Sequence, residues 1–85
     1  MQPLERIGEN IRSEREARGL SHEAVGGRCS LTAIEVGRIE RGETDPGSVG
    51  LAQLSAVLGT TATACLRGVR WDQRQLRFVV EQRRG

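Results

Sequence analysis

Residues 21–41 read Ser21-His22-Glu23-Ala24-Val25-Gly26-Gly27-Arg28-Cys29-Ser30-Leu31-Thr32-Ala33-Ile34-Glu35-Val36-Gly37-Arg38-Ile39-Glu40-Arg41, and two helix starts lie inside them. Ser21 is placed to cap the first, its hydroxyl accepting from a free backbone N–H of the next turn; Thr32 is placed to cap the second. The first helix runs from His22 to about Arg28. Gly26 and Gly27 make it poor by propensity, so tertiary packing, or close approach of another helix at Gly26, has to hold it. Cys29-Ser30-Leu31 forms the turn. The second helix covers about 33–41, with Val36 and Ile39 on its core face and Ile34 elsewhere on the wheel, expected exposed. Two helices joined by so short a turn make a helix-turn-helix.

Outward from this unit the chain continues helical. Leu4, Ile7 and Ile11 recur at helical spacing among charged residues, which predicts an amphipathic helix over about 3–18, opened by Pro3 and stopped by Gly19. Beyond Gly42 the run Glu43-Thr44-Asp45-Pro46-Gly47 carries every turn signal. Ser48 to Leu58 forms a fourth helix with Leu51, Leu54, Ser55 and Leu58 on one face. Gly59 ends it, and Thr60 or Thr61 caps a short fifth helix through Leu66. From Gly68 the pattern changes. Val69-Arg70-Trp71 and Leu76 to Val80 are β-prone and flank a polar stretch, which predicts a small hairpin. A hairpin is marginal alone, so it must pack on the helices or pair with another chain. The expectation is an all-α, five-helix domain over residues 1–67 with a C-terminal extension over 68–85.

Eighty-five residues allow one domain with a thin core. Trp71 and Phe78 are the only aromatics, so aliphatic side chains must fill that core. All thirteen basic residues are Arg, a composition that hints at a GC-rich genome. Arginine also suits bidentate contacts to phosphate and guanine. The net charge of +2 hides an asymmetry: residues 1–64 hold seven Arg and nine acids, whereas Arg67, Arg70, Arg74, Arg77, Arg83 and Arg84 face only Asp72 and Glu81 in residues 65–85. That basic end reads either as a solvated tail or as a phosphate-binding arm. No hydrophobic leader and no run near the ~20 residues of a membrane span are present, and Cys29 and Cys65 are far apart. A reduced, cytoplasmic (nucleoid-associated) protein with two buried thiols is expected. His22 with one or both cysteines is too sparse a set for zinc, so no metal or cofactor is expected. One His, no Tyr, no Lys and no nucleophile–base pair at recognisable spacing argue against an enzyme.

Ile7-Gly8-Glu9-Asn10-Ile11-Arg12, Arg15-Glu16-Ala17-Arg18-Gly19-Leu20-Ser21, Arg38-Ile39-Glu40-Arg41-Gly42-Glu43, then Pro46 and Leu51 through Leu58-Gly59 stand in an order that resembles the lambda-repressor/Cro-type (Xre) family over residues 4–66. The resemblance implies a five-helix bundle that binds double-stranded DNA in a sequence-specific way, usually as a homodimer, in transcriptional control. It places Ser21 and His22 at phosphate, Thr32, Ala33, Ile34 and Arg38 on the outward face of the recognition helix, and Arg41 and the loop Gly42–Thr44 against the backbone just past it. It also implies an ion pair between Arg15 and Glu40 that ties helix 1 to helix 3. Three departures stand out. His22 replaces the usual Gln. Ser30 sits where Gly is usual, so an αL conformation there carries strain. Ala33 and Ile34 replace polar base readers, leaving apolar contact with a thymine methyl. The competing reading is a protein-interaction module, or an antitoxin, that uses the fold as a scaffold and binds a protein partner through the hairpin or Ile34. Trp71, Leu76, Phe78 and Val80 are the candidate dimer contacts; the alternative is a hairpin folded back over its own helices.

Overall fold

The computed structural model describes residues 1–81; Arg83 and Arg84 of the basic end lie outside the described residues. Five helices, α1 (Pro3–Ala17), α2 (His22–Cys29), α3 (Ala33–Glu40), α4 (Gly47–Val57) and α5 (Ala62–Cys65), precede a two-stranded antiparallel hairpin, β1 (Val69–Asp72) and β2 (Arg77–Val80). This is the lambda-repressor-like arrangement with a short C-terminal hairpin.

The termini follow from local chemistry. Pro3 opens α1, and the Gln2 N–H donates to Glu5 Oε1 at 2.7 Å. The hydroxyls of Ser21, Thr32 and Thr61 each accept the backbone N–H three residues on, at 3.1 Å, which opens α2, α3 and α5. Thr61, not Thr60, is therefore the cap. At α3 the cap is reciprocal: Glu35 Oε2 accepts the Thr32 N–H at 3.1 Å, a capping box written in the sequence as Thr-x-x-Glu. Cys29 extends α2 by a turn position, so the break falls on Ser30, which stands in the left-handed region at φ 58°. For a side-chain-bearing residue this costs about 1–2 kcal/mol. A Cβ at Gly26 would lie 2.6 Å from the Leu31 carbonyl oxygen. What presses on Gly26 is thus the turn's own backbone rather than another helix.

One core holds the helices together. Ile11, Val25, Cys29, Val36, Ile39, Leu54, Leu58 and Cys65 are buried, with Ile7, Leu20, Leu31, Leu51 and Val57 packed around them. Each fully buried aliphatic contributes roughly 1.5–3 kcal/mol. Burial also pushes the Cys29 thiol above its ordinary pKa, so it behaves as an apolar group. Gly8 allows α1 to touch the end of α3: a Cβ there would lie 2.4 Å from the Glu40 carbonyl oxygen and 2.5 Å from that of Ile39. Asn10, buried beside it, donates its amide to the carbonyls of Cys65 at 2.8 Å and Arg67 at 2.9 Å. It thereby satisfies two acceptors that the short α5 leaves unpaired.

The hairpin pairs Val69 with Val80 and Trp71 with Phe78, and its strands pack against α1. Asp72 closes β1, its Oδ1 accepting the N–H groups of Arg74 (2.9 Å) and Gln75 (3.0 Å). Leu76, expected in the second strand, instead ends the turn at φ 53°, and β2 begins at Arg77. The hairpin base is folded back: Val69, Val79 and Val80 are half-buried, and Arg6 Nη2 reaches the Glu81 carbonyl at 3.5 Å. Its far end is not. Trp71 and Phe78 are 47% and 55% exposed and stack edge-to-face, centroids 5.0 Å apart, and Leu76 is exposed beside them.

Candidate nucleic-acid interface

The N-terminal turns of α2 and α3 bring Ser21, His22, Thr32, Ala33 and Ile34 to helix starts. Unpaired backbone N–H groups and the positive end of the helix dipole favour anions at such starts. Ser21 and Thr32 are exposed and already engaged as caps. Ala33 is half-buried, whereas Ile34 is 67% exposed, a large aliphatic side chain left in water at the front of α3. Arg38 is exposed one turn on. Glu35 sits between them, but its carboxylate is turned back onto Thr32. It therefore serves the helix start, and the Thr-x-x-Glu spacing was the signal for that role.

Two clefts flank this face. The larger, about 370 Å³, separates α3 from the loop leading to α4; Glu35, Arg38, Thr44 and Asp45 are among its walls. Arg38 and Thr44, predicted separately, therefore share one surface. The smaller, about 200 Å³, is lined by Arg12, Arg15, His22, Gly37, Glu40 and Arg41, and it joins the phosphate candidates His22 and Arg41.

The smaller cleft is organised around Glu40. Arg15 grips this carboxylate with both ends, Nε to Oε2 at 2.6 Å and Nη2 to Oε1 at 3.0 Å, and also donates to the Leu20 carbonyl at 2.9 Å. The two side chains are 13% and 5% exposed. The hydrogen bonds it donates to Glu40 hold the Arg15 guanidinium above its ordinary pKa, against the opposing effect of burial. The ion pair inferred for Arg15 and Glu40 is thus present and bidentate. His22 adds a third partner absent from the sequence reading: its Nε2 lies 3.0 Å from Glu40 Oε1, with the side chain 39% exposed. The outer arginines are paired too, Arg12 with Glu16 at 2.5 Å and Arg41 with Glu43. Arg12 was not singled out in the sequence, because an arginine on an exposed helix face carries no signal of what it will face across a cleft.

The family model described as a helix-turn-helix domain matches residues 6–67. The chain belongs to that family, in its lambda-repressor/Cro-type branch. Among solved structures, this helix-turn-helix protein is similar to the restriction-modification controller protein C.AhdI from Aeromonas hydrophila. The identity is 29% and the TM-score 0.70, over 73% of this chain and 94% of that one. It is also similar, at 29% identity and TM-score 0.68 over 73% of this chain and 94% of that one, to the P22 c2 repressor in complex with a synthetic operator. The clp gene regulator ClgR from Corynebacterium glutamicum shares the fold at 23% identity and TM-score 0.74, over 78% of this chain and 86% of that one. A comparison with curated protein sequences found no match. Among the described residues no helix is long and apolar enough to cross a membrane, and no group of His, Cys, Asp and Glu is arranged to hold a metal ion.

Proposed function

We propose that this helix-turn-helix protein is a sequence-specific, repressor-like transcriptional regulator that binds double-stranded DNA as a homodimer. The observation that carries this reading is the front of α3, a capped helix start that presents Ile34 and Arg38 to solvent in a fold shared with a repressor solved on its operator. Arg38 is the base reader, suited to a bidentate grip on guanine, and Ile34 offers apolar contact to a thymine methyl. Ser21, His22, Thr32, Arg41 and Thr44 position the helix on phosphates, and Ala33 lets it approach closely. Two recognition helices must lie about 34 Å apart to read successive turns. The exposed Trp71–Phe78 pair with Leu76 supplies the dimer contact, and Val80 supports it from the hairpin base.

Selection of bound duplexes from a random pool tests this. The expected result is a palindromic site with half-sites one helical turn apart. Arg38→Ala is expected to relax one base position by roughly 1–3 kcal/mol, whereas Arg41→Ala is expected to weaken all duplexes alike and flatten the salt dependence. A second reading has one observation in its favour: the aromatic pair is exposed at the far end of a hairpin that packs on α1. In that reading the fold is a scaffold for a protein partner. Salt-independent or absent binding to duplex DNA supports the scaffold reading. Sedimentation of a chain ending at Gly68 reports on the dimer contact, since a truncated protein that still dimerises places the interface on the helices.

A further inference from the structure

The contact between His22 and Glu40 constrains how the smaller cleft takes an anion. A carboxylate only accepts hydrogen bonds, so the 3.0 Å contact with Glu40 Oε1 requires an N–H on His22 Nε2. A neutral imidazole carries one N–H. With that proton committed to Glu40, the other ring nitrogen is a lone pair, which repels a phosphate oxygen. Imidazolium carries two N–H groups and serves both. The surrounding charges sharpen the point. From α1, Arg12 and Arg15 face the cleft, and Arg12 is tied to Glu16; from the end of α3 come Glu40 and Arg41, the latter tied to Glu43. On His22's own helix the neighbouring Glu23 is exposed, and α4, packed against α2, carries no ionisable side chain. Three guanidiniums are thus matched by three carboxylates, and the cleft gains a net positive charge only when His22 takes a proton.

We propose that this cleft binds one DNA backbone phosphate together with one proton, taken up on His22. The inference rests on the DNA-binding reading above and adds proton linkage to it. The phosphate stabilises the imidazolium, and because Glu40, held by Arg15, engages Nε2, the second ring nitrogen is the one that donates to the phosphate. Phosphate contact and protonation are then one event, and affinity for DNA of any sequence rises as pH falls through the range in which histidines titrate, about pH 8 to 5.

The test is fluorescence anisotropy of the full chain with a labelled random-sequence duplex at constant ionic strength across that range. Wild type is expected to tighten roughly tenfold towards the acid end, as a neutral contact becomes charge-assisted, with a slope of log Kd against pH no steeper than about one per protomer, the limit for one linked proton. His22→Gln, whose amide donates at every pH, is expected to bind with a flat profile, and circular dichroism checks that it is folded. An independent readout is the NMR titration of the His22 ring in wild type, whose midpoint is expected to move up when duplex is added. A flat wild-type profile, an undiminished slope in His22→Gln, or an unmoved midpoint in the bound protein overturns proton linkage and leaves DNA binding standing. No binding at any pH overturns the DNA reading and this inference with it.

Discussion

Replacing Glu40 by Ala asks how much of the fold hangs on one buried carboxylate. The change removes both ends of the Arg15 grip, at 2.6 and 3.0 Å, and the His22 contact at 3.0 Å. Breaking a fully buried pair by deleting one partner costs about 3–5 kcal/mol, because the surviving charge is stranded. Here the stranded guanidinium keeps its bond to the Leu20 carbonyl at 2.9 Å, and its 13% exposure lets water reach it. Both features favour the lower end, so the expected loss is about 3 kcal/mol. For a domain of this size that lowers Tm by about 15 °C, a large part of the stability an 85-residue chain commands. The arginine side sets no pH limit in the working range. Its pKa is raised on folding, so its contribution is fully present below the ordinary arginine range and is lost only in alkali beyond it. Urea titrations of Glu40→Ala, Arg15→Ala and the double variant form a cycle whose coupling is expected near 2 kcal/mol. A Glu40→Ala cost below about 1 kcal/mol with no coupling would refute the claim that this pair fastens α3 to α1.

Three further outcomes are expected. Gly8→Ala drives a Cβ to within 2.4 Å of the Glu40 carbonyl oxygen, so α1 and α3 must separate; a loss of about 3 kcal/mol in denaturant melts is expected, and an unchanged midpoint would show that the contact is loose. Ser30→Gly relieves the left-handed backbone at φ 58° and should stabilise by about 1 kcal/mol; a loss on calorimetry would mean that the serine side chain earns its place. Asp72 is held below its ordinary carboxylate pKa chiefly by the Gln75 N–H and then by that of Arg74. Its support of the turn is therefore present above the ordinary value of 3.8 and is lost as pH falls through the lower folded value. Trp71 emission should report hairpin loosening in acid, and Asp72→Asn should move that transition.

The helices were legible because their punctuation is local. Ser21, Thr32 and Gly19 act within one turn of where they stand, and the apolar spacing of Ile7, Ile11, Val36 and Ile39 shows which face goes inward. The Arg15–Glu40 pair came from resemblance, not from spacing. What escaped is what depends on distance along the chain. Asn10 answers carbonyls at Cys65 and Arg67, and Gly8 is small because of Glu40; neither need is visible near residue 10 or 8. His22 was assigned to phosphate because its position is shared with the family, and its partner eighteen residues away was not in view. Glu35 is different, since its capping role is written three residues from Thr32. Leu76 was placed in a strand by its β-prone neighbours, but the Asx turn at Asp72 consumes four residues before β2 can start.

These particulars bear on how such a domain holds a polyanion at all. Residues 1–64 carry seven arginines against nine acids, and Arg12, Arg15 and Arg41, around the smaller cleft, each have a carboxylate partner. A general positive field of the kind that draws proteins to DNA without regard to sequence is absent from the helical body. On the reading proposed above, attraction comes from directed groups: the capped helix starts, Arg38 at the recognition helix, and a histidine whose proton arrives with the phosphate. The exposed arginines of the hairpin, Arg70, Arg74 and Arg77, lie on the element that we propose as the dimer contact. Pairing two chains there would bring the basic C-terminal segments of both together. On that view dimerisation does more than space two recognition helices. It assembles the field that a single body, net negative by itself, does not possess.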